Sequence, residues 1–231
     1  MNINFDGKLV LVTASTKGIG FAIAENFLKS GAKVVICSRN KKNIKKAELY
    51  ITRKYNKNNF LILKCNIGNK KEILNLKKKI KNKFNKTVDI LINNSGGPPS
   101  KKIIDTNYKD WEDAININLL SSIIVTKLLL PDMIKKKWGR IINLTSTTAK
   151  EPAKLMSLSN VTRSGLVSFG KTLSKELSGT GITVNNILTG GVLTDRLLSL
   201  VTLNSKNKKS KLKYLLKEIE KSIPSNYLIL P

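Results

Sequence analysis

A glycine-bearing turn between an apolar run and an amphipathic segment constrains the fold of this chain more than any other stretch. Residues 8–12 form an apolar run typical of a buried strand, and residues 21–28 place apolar side chains at helical spacing. Between them, Gly18 and Gly20 let the backbone approach a ligand closely, and the first amides of the helix carry the positive end of its dipole. This combination predicts an anion site, and in such a setting the usual anion is a dinucleotide pyrophosphate.

Strand and helix patterns alternate along the rest of the chain. Apolar runs predict further strands at residues 33–37, 60–65, 88–92, 140–144 and 181–188. Helical spacing predicts helices at residues 43–55, 72–84, 111–136 and 157–177, with a kink at Pro131. This alternation predicts one domain over residues 1–231, with a doubly wound parallel sheet of the Rossmann α/β class. Because polar or glycine-rich stretches follow the strands, we expect them to converge on one cleft.

The formal net charge of +27 comes mainly from lysine, which outnumbers arginine roughly sevenfold. Asn and Ile are also abundant, and A/T-rich codons explain all three excesses together. A surface that reads phosphates would use more arginine, so we predict no nucleic-acid partner. Cys37 and Cys65 each end a predicted strand and are interpreted as buried thiols in a reducing cytoplasm. The chain has no His, and no metal site is predicted.

We also expect no membrane segment. The N-terminus lacks a basic region followed by an apolar one, so no secretory signal is predicted. The longest apolar run, residues 119–130, is interrupted by Ser121, Ser122, Thr126 and Lys127. These patterns favour a cytoplasmic location.

Several short motifs resemble those of the short-chain dehydrogenase/reductase family, in the same order and across nearly the whole chain. The family's Thr-Gly-x-x-x-Gly-Ile-Gly compares with residues 13–20, where Ala14 replaces the first Gly. Its Asn-Asn-Ala-Gly compares with residues 93–96, and its Pro-Gly-x-x-x-Thr compares with residues 189–194. The resemblance implies a reductase that transfers a hydride from a nicotinamide cofactor to a carbonyl substrate.

The resemblance also implies which residues form the site. Those expected to bind the cofactor are Thr13, Ser15, Lys17, Gly18, Ile19, Gly20, Ser38, Arg39, Asn66, Ile67, Asn94, Ser95, Gly96, Arg163, Gly190, Val192 and Thr194. Those expected at the catalytic positions are Asn118, Ser146, Ser159 and Arg163.

The residues after the second strand indicate which cofactor is used. An acidic side chain there would accept hydrogen bonds from the ribose 2′-hydroxyl of NAD, but this chain has Ser38 and Arg39. Arg39, together with Lys17 in the glycine turn, can pair with a 2′-phosphate. We therefore infer NADPH. The alternative is that both are ordinary surface cations, and it is more serious for Lys17 because arginine is scarce in this chain.

The catalytic pair departs from the family pattern. The family places a Tyr thirteen residues after the catalytic Ser and a Lys four residues further on, which here are Ser159 and Arg163. The spacing still puts both on one helix face. A guanidinium does not release its proton, and a serine hydroxyl is a poorer acid than a phenol.

Three interpretations follow from this departure. The first is an NADPH-dependent reductase with an atypical site, similar to a divergent branch of the 3-oxoacyl-(acyl carrier protein) reductase-like members. Its substrate would be a small carbonyl compound carried on acyl carrier protein or CoA. The second is a non-catalytic NADP(H)-binding protein, and the third is a truncated product.

The third interpretation comes from the end of the chain. Family members continue past residue 224 with a helix and a seventh strand, so roughly thirty residues are expected to be missing. We expect the sixth strand to be an exposed edge and a homo-oligomer to depend on the C-terminus. Residues 195–221 are predicted to form a substrate lid, whose lysines at 206–213 either attract an acidic carrier or form a solvated face.

Overall fold

The computed structural model describes residues 3–203, 210–222 and 227–231. It divides the chain into two compact units, one ending at Leu188 and the other beginning at Thr189. The single domain expected over residues 1–231 therefore stays a prediction for the chain as a whole.

A six-stranded sheet forms the centre of the first unit. Its strand order is β3-β2-β1-β4-β5-β6, and the neighbouring strands pair in parallel, as in Val12 with Ile36 and with Ile92. The strands are β1 Leu9–Val12, β2 Lys33–Ser38, β3 Phe60–Lys64, β4 Ile90–Asn93, β5 Gly139–Ser146 and β6 Ile182–Thr189. The predicted doubly wound parallel sheet is confirmed.

Helices cover both faces of this sheet because its central strands are apolar on both sides. On β1, Leu9 and Leu11 pack in a cluster with α3 and α5, whereas Val10 and Val12 pack with α1 and α2. The helices of this unit are α1 Gly18–Lys29, α2 Lys41–Lys54, α3 Lys70–Phe84, α4 Tyr108–Ile115, α5 Ser121–Lys135 and α6 Ser157–Glu176.

The long helical tract has an irregularity that the sequence analysis did not predict, and the expected kink at Pro131 stays a prediction. Its irregularity is a π-helical segment at Asn116–Leu120, between α4 and α5, and α5 continues through Pro131. Pro131 and Lys127 are both exposed, so solvent can satisfy the carbonyl that the missing proline N–H leaves unpaired. The π segment instead turns Asn118 inward, where it is 1% exposed.

The same tract forms a longer apolar helical stretch than the run at residues 119–130 that the sequence suggests. Within the described ranges, Tyr108–Lys135 is the one helical stretch long and apolar enough to cross a membrane. Ser121, Ser122 and Thr126 interrupt the apolar run in the sequence, but all three side chains are buried within the helix. Here α5 packs against α3, β4 and β5, as a core helix does.

The second unit is small. It contains α7 Asp195–Leu203 and α8 Ser210–Ser222. Val192 and Ile229 form an isolated parallel bridge, in which Leu193 N donates to Ile229 O at 2.8 Å. Residues 204–209, which belong to the predicted lid, lie outside the described residues, and so do the side chains of 206–213. The lid over residues 195–221 stays a prediction.

Candidate functional site

The N-terminus of α1 is built to receive an anion. Lys17 is its N-cap residue, no side chain caps the helix, and its first turn contains no acidic residue. The first amides of a helix have no partner within the helix, so those of Gly18, Ile19 and Gly20 are available to a ligand. Gly18 has a φ of +56°, a conformation that favours glycine. This donor set fits a dinucleotide pyrophosphate.

Thr13 and Ser15 support the turn from inside. Thr13 Oγ1 accepts from Asn94 N at 2.8 Å, and Ser15 Oγ donates to Val12 O at 2.6 Å. Ser15 is fully buried, and its N–H donates to Cys37 O at 2.9 Å. Their hydroxyls and the Ser15 N–H are engaged with the backbone of neighbouring strands. The expected role of both residues in cofactor binding stays a prediction.

Asn94 links the turn to the end of β4. Its Nδ2 donates to Thr13 O and to Ala14 O, both at 3.0 Å. A Cβ atom at Gly20 would lie 2.4 Å from this nitrogen, so glycine is required there for packing. Ala14 has a φ of +47°, where a side chain costs about 1–2 kcal/mol. The glycine replaced at residue 14 therefore leaves a strained turn.

The residues predicted to contact a 2′-phosphate of the cofactor, Arg39 and Lys17, lie near the end of β2. Arg39 is exposed directly after this strand, and Lys17 is exposed at the neighbouring turn. Ser38 Oγ accepts from Asn40 N at 3.2 Å, and Asn40 caps α2 by accepting from Asn43 N. The loop that carries Arg39 is therefore fixed on both sides.

The two residues of the loop after β3 that are expected at the cofactor differ in burial. Asn66 is half-buried, its N–H donates to Glu72 Oε2 at 2.8 Å, and its Oδ1 accepts from Gly68 N. Ile67 is 8% exposed and packs in the core. Asn66 thus lies just after the carboxyl end of β3, and the Ile67 side chain packs in the core. The role of both residues in cofactor binding stays a prediction.

Ser95 accepts hydrogen bonds from two of the residues predicted to be catalytic, Asn118 and Arg163, and we call this group of contacts the Ser95 junction. Asn118 Nδ2 donates to Ser95 Oγ at 2.8 Å and to Gly96 O at 2.7 Å. From α6, the Arg163 guanidinium donates to Leu144 O at 2.8 Å and to Ser95 O at 3.4 Å. Arg163 is only 7% exposed, so these contacts hold the ends of β4 and β5 together.

The two serines predicted to be catalytic lie on elements that contact each other. Ser146 ends β5 and caps the short turn Thr147–Ala149; its Oγ accepts from Thr148 N at 3.2 Å and from Thr148 Oγ1 at 3.1 Å. Ser159 is 5% exposed on α6, one turn before Arg163. Because α6 packs against both this turn and the π segment, the fold gathers all four predicted catalytic residues in one region.

No tyrosine of the first unit is on α6. Tyr50 and Tyr55 lie at α2 and hydrogen-bond to Glu25, and Tyr108 begins α4. Among the described residues there is also no cluster of His, Cys, Asp and Glu suited to a metal ion.

Sequence analysis did not single out a row of amide side chains beneath this region. Asn93 Nδ2 donates to Asn143 Oδ1 at 2.8 Å, and Asn143 Nδ2 donates to Asn186 Oδ1 at 2.9 Å. Thr126 joins the row from α5 by accepting from Asn93 Nδ2. The signal available in the sequence is an Asn within each of three neighbouring strands, β4, β5 and β6.

Gly190, Val192 and Thr194 belong to the second unit. Thr194 Oγ1 donates to Val192 O at 3.4 Å, and Val192 pairs with Ile229. Their role in cofactor binding stays a prediction.

Comparisons with known proteins agree with this architecture. A family model described as short chain dehydrogenase matches residues 8–202. The chain is 33% identical to a 3-oxoacyl-(acyl-carrier-protein) reductase of Aquifex aeolicus over 195 residues, or 84% of this chain and 78% of that protein. It is 35% identical to the Haemophilus influenzae protein of the same name over 189 residues, or 82% and 76%.

Two solved structures are similar across nearly the whole chain. L-sorbose reductase from Gluconobacter frateurii, complexed with NADPH and L-sorbose, has a TM-score of 0.92 and 26% identity, covering 100% of this chain and 88% of that one. A variant of actinorhodin polyketide ketoreductase with NADPH has a TM-score of 0.90 and 27% identity, covering 97% and 85%.

Proposed function

Because the chain belongs to the short-chain dehydrogenase family of oxidoreductases, we propose that it reduces a carbonyl group with NADPH. The observation that carries this proposal is the uncapped N-terminus of α1 beside the exposed Arg39. The first supplies backbone donors for a pyrophosphate, and the second supplies a cation for a 2′-phosphate. Two structural relatives of this chain contain NADPH, which supports the same choice.

We propose that different residues hold different parts of the cofactor. The amides of Gly18, Ile19 and Gly20 would hold the pyrophosphate, and Arg39 with Lys17 would hold the 2′-phosphate. A bound nicotinamide supplies the hydride for carbonyl reduction. The residues near Ser95 then have to orient the carbonyl and supply a proton to its oxygen.

Ser146 is suited to polarise the substrate carbonyl. Its oxygen already accepts two hydrogen bonds from Thr148, so its own hydrogen is left to donate elsewhere. Ser159, on the helix that packs against this turn, would be the second donor. Two donors aimed at the carbonyl oxygen would stabilise the negative charge that develops there during reduction.

Arg163 contributes charge and position but no proton. It stays protonated at all accessible pH values, and it holds the carbonyls of Leu144 and Ser95. The proton would reach the substrate oxygen from water through a serine hydroxyl. Because a positioned general acid contributes about 10²–10⁴-fold, we expect turnover to be slow.

The substrate we propose is a 3-oxoacyl thioester on acyl carrier protein or CoA, in the cytoplasm. The relatives at 33% and 35% identity bear the name 3-oxoacyl-(acyl-carrier-protein) reductase, which supports this class. A second candidate function is NADP(H) binding without catalysis. The observation in its favour is Ser159 at the position where the family places its acid.

One experiment separates the two functions. NADPH binding is measured by fluorescence titration, and turnover is measured with a 3-oxoacyl thioester, for the wild type and for Ser159→Tyr combined with Arg163→Lys. We expect the wild type to bind NADPH and turn over slowly, and the double variant to gain about 10²–10⁴-fold in rate. Ser168→Tyr, on an exposed position of the same helix, is the matched control and should gain nothing.

Three results would count against the reductase. Absence of NADPH binding by the wild type would refute the cofactor site. Binding without turnover in either protein would favour the non-catalytic function. A gain in the Ser168→Tyr control would show that the added phenol does not act from the position of Ser159.

A further inference from the structure

Thr148 provides both hydrogen bonds that the Ser146 side chain receives within the described part of the chain. Ser146 Oγ accepts from Thr148 N at 3.2 Å and from Thr148 Oγ1 at 3.1 Å, and both residues are half-buried. A hydroxyl has two acceptor lone pairs and one hydrogen. The two bonds fill the acceptor positions of Ser146, so this side chain can donate to a ligand but cannot accept from one.

The turn that carries Thr148 is held independently of the Thr148 hydroxyl. The carbonyl of Thr147 accepts from Lys150 N at 2.9 Å. From α6, Ser164 Oγ donates to Ala149 O at 3.0 Å. Loss of the Thr148 hydroxyl should therefore leave the turn in place, together with the backbone N–H that Thr148 donates to Ser146.

Ser159 differs from Ser146 in its hydrogen bonds. Its hydroxyl makes no hydrogen bond with any residue in the described ranges, although the residue is only 5% exposed. This hydroxyl can accept from one partner and donate to another at the same time, whereas Ser146 can only donate. The two serines are therefore suited to different tasks, and the difference arises from Thr148.

We propose that Thr148 is a positioning residue for the substrate: by donating to Ser146 Oγ, it leaves the Ser146 hydrogen to the ketone oxygen. The inference rests on the proposed function. Without the Thr148 hydroxyl, one lone pair of Ser146 becomes free, and the Ser146 hydroxyl can turn and give its hydrogen to water or to another acceptor. Thr148 thus acts through Ser146, and preorganised donors of this kind stabilise the charge that develops on a carbonyl oxygen.

The first measurement is the carbonyl stretching frequency of a bound ketone. A 3-oxoacyl-CoA with an isotopic label at the ketone carbon is bound together with NADP⁺, so that no reduction occurs, and infrared difference spectra are recorded. A hydrogen bond to the carbonyl oxygen lowers this frequency. We expect a lower frequency in the wild-type complex than in free solution, and a frequency nearer the free value in Thr148→Val.

The second measurement is turnover with the same thioester and NADPH. Thr148→Val keeps the shape of the side chain and should lower kcat about 2- to 10-fold, the usual effect of losing one neutral hydrogen bond, with NADPH Kd and Tm unchanged. Thr148→Ser restores the hydroxyl and should restore both kcat and the infrared shift. Thr147→Val, at the exposed neighbouring position, is the matched control and should change neither.

The outcomes separate this proposal from the proposed function. If the wild type neither binds NADPH nor turns over the thioester, the reductase is wrong, and the positioning role fails with it. If the wild type turns over but Thr148→Val leaves kcat and the frequency unchanged, only the positioning role is wrong. A fall in Tm in Thr148→Val, or no recovery in Thr148→Ser, would also overturn it, because Thr148 would then serve to maintain the turn.

Discussion

At the scale of single residues, Arg39 determines the proposed choice between phosphorylated and unphosphorylated dinucleotides. It is exposed at the end of β2, where an acidic residue would favour a free ribose hydroxyl. Its loop is held by Ser38 and by the Asn40 cap of α2, so replacing the side chain should leave the backbone in place.

We expect Arg39→Glu to weaken NADPH binding about 10- to 100-fold, because a charge-assisted hydrogen bond is lost and a repulsive charge is added. NADH binding should be unchanged or stronger. Fluorescence titration of both cofactors measures the ratio of the two Kd values. Arg53→Glu makes the same charge change at an exposed position of α2 and should alter the ratio little; an equal change in both variants would indicate a general effect of net charge.

Asp89 is a buried carboxylate at the opposite end of the sheet. Burial raises its pKa, but hydrogen bonds from Lys136, the Leu9 N–H and Lys86 together bring the pKa below its ordinary value. Lys136 Nζ lies 2.6 Å from Oδ1, and Leu9 N lies 2.8 Å from Oδ2. The carboxylate thus links the start of β1 to the C-terminal end of α5.

Because the folded pKa of Asp89 is lowered, its stabilising contribution is complete above the unfolded pKa of about 4 and is lost as the pH falls through the folded value. We expect Asp89→Asn to reduce the free energy of unfolding by about 1–3 kcal/mol at pH 7, with the difference shrinking below about pH 4. Urea unfolding at several pH values measures this. Asp113→Asn removes an exposed partner of Lys109 and should have little effect; a deficit for Asp89→Asn that did not vary with pH would contradict the role of its charge.

Residue identity was easier to predict than side-chain direction. The glycine-turn pattern identified Thr13 and Ser15, but both hydroxyls point inward because their partners, Asn94 and Cys37, come from strands distant in sequence. Arg163 was expected to hold the cofactor, and its contacts with Leu144 and Ser95 depend on how α6 packs. Such contacts follow from tertiary structure and cannot be inferred from spacing alone.

At the scale of elements, Gly170 sets how closely α6 approaches the sheet. A Cβ atom there would lie 2.4 Å from Asn186 Oδ1 and 2.7 Å from Asn143 Nδ2. These side chains are hydrogen-bonded to each other in the row beneath the site. The helix therefore packs directly on a polar network that has little room to adjust.

We expect Gly170→Ala to destabilise the protein by about 1–3 kcal/mol, despite the better helix propensity of alanine. Each kcal/mol corresponds to a fall of about 2–4 °C in Tm for a chain of this size. Gly165→Ala is the matched control on the same helix, since its Cβ would first meet the movable Leu119 Cδ2 at 3.2 Å. Thermal unfolding of both variants measures the contrast, and an equal or higher Tm for Gly170→Ala would show that the row can shift.

Most elements followed from the sequence because apolar runs and helical spacing agree with their final burial. The exception is the tract around Asn118. Pro131 gave the only local sign of irregularity, yet the π segment at Asn116–Leu120 depends on contacts with α6 and with Ser95. The buried position of Asn118 depends on a hydrogen bond to Ser95, which is distant in sequence. The residues next to Asn118 therefore show no pattern that predicts it.

At the scale of the whole molecule, the net charge of +27 opposes folding through repulsion. The 15 acidic residues are too few to pair with 42 basic ones, although pairs such as Lys77 with Asp132 at 2.8 Å do form. Each exposed pair contributes little to stability, so the unpaired excess should dominate the response to salt.

We expect Tm to rise by several degrees when sodium chloride is raised from about 10 mM to about 1 M, as the Debye length falls from about 30 Å to about 3 Å. Differential scanning fluorimetry measures this. Potassium chloride should give the same rise, because screening does not depend on the identity of the cation. A fall in Tm in both salts would mean that the ion pairs outweigh the repulsion.

The Ser95 junction has a consequence for the energetics of ligand binding. Asn118 and Arg163 hold the loop after β4 through contacts made entirely within the protein. The loop is therefore preorganised, and a ligand does not have to order it at the expense of binding free energy. Much of the conformational entropy of this part of the site is lost during folding, so closing the site on a ligand should involve little reordering of the loop at Ser95.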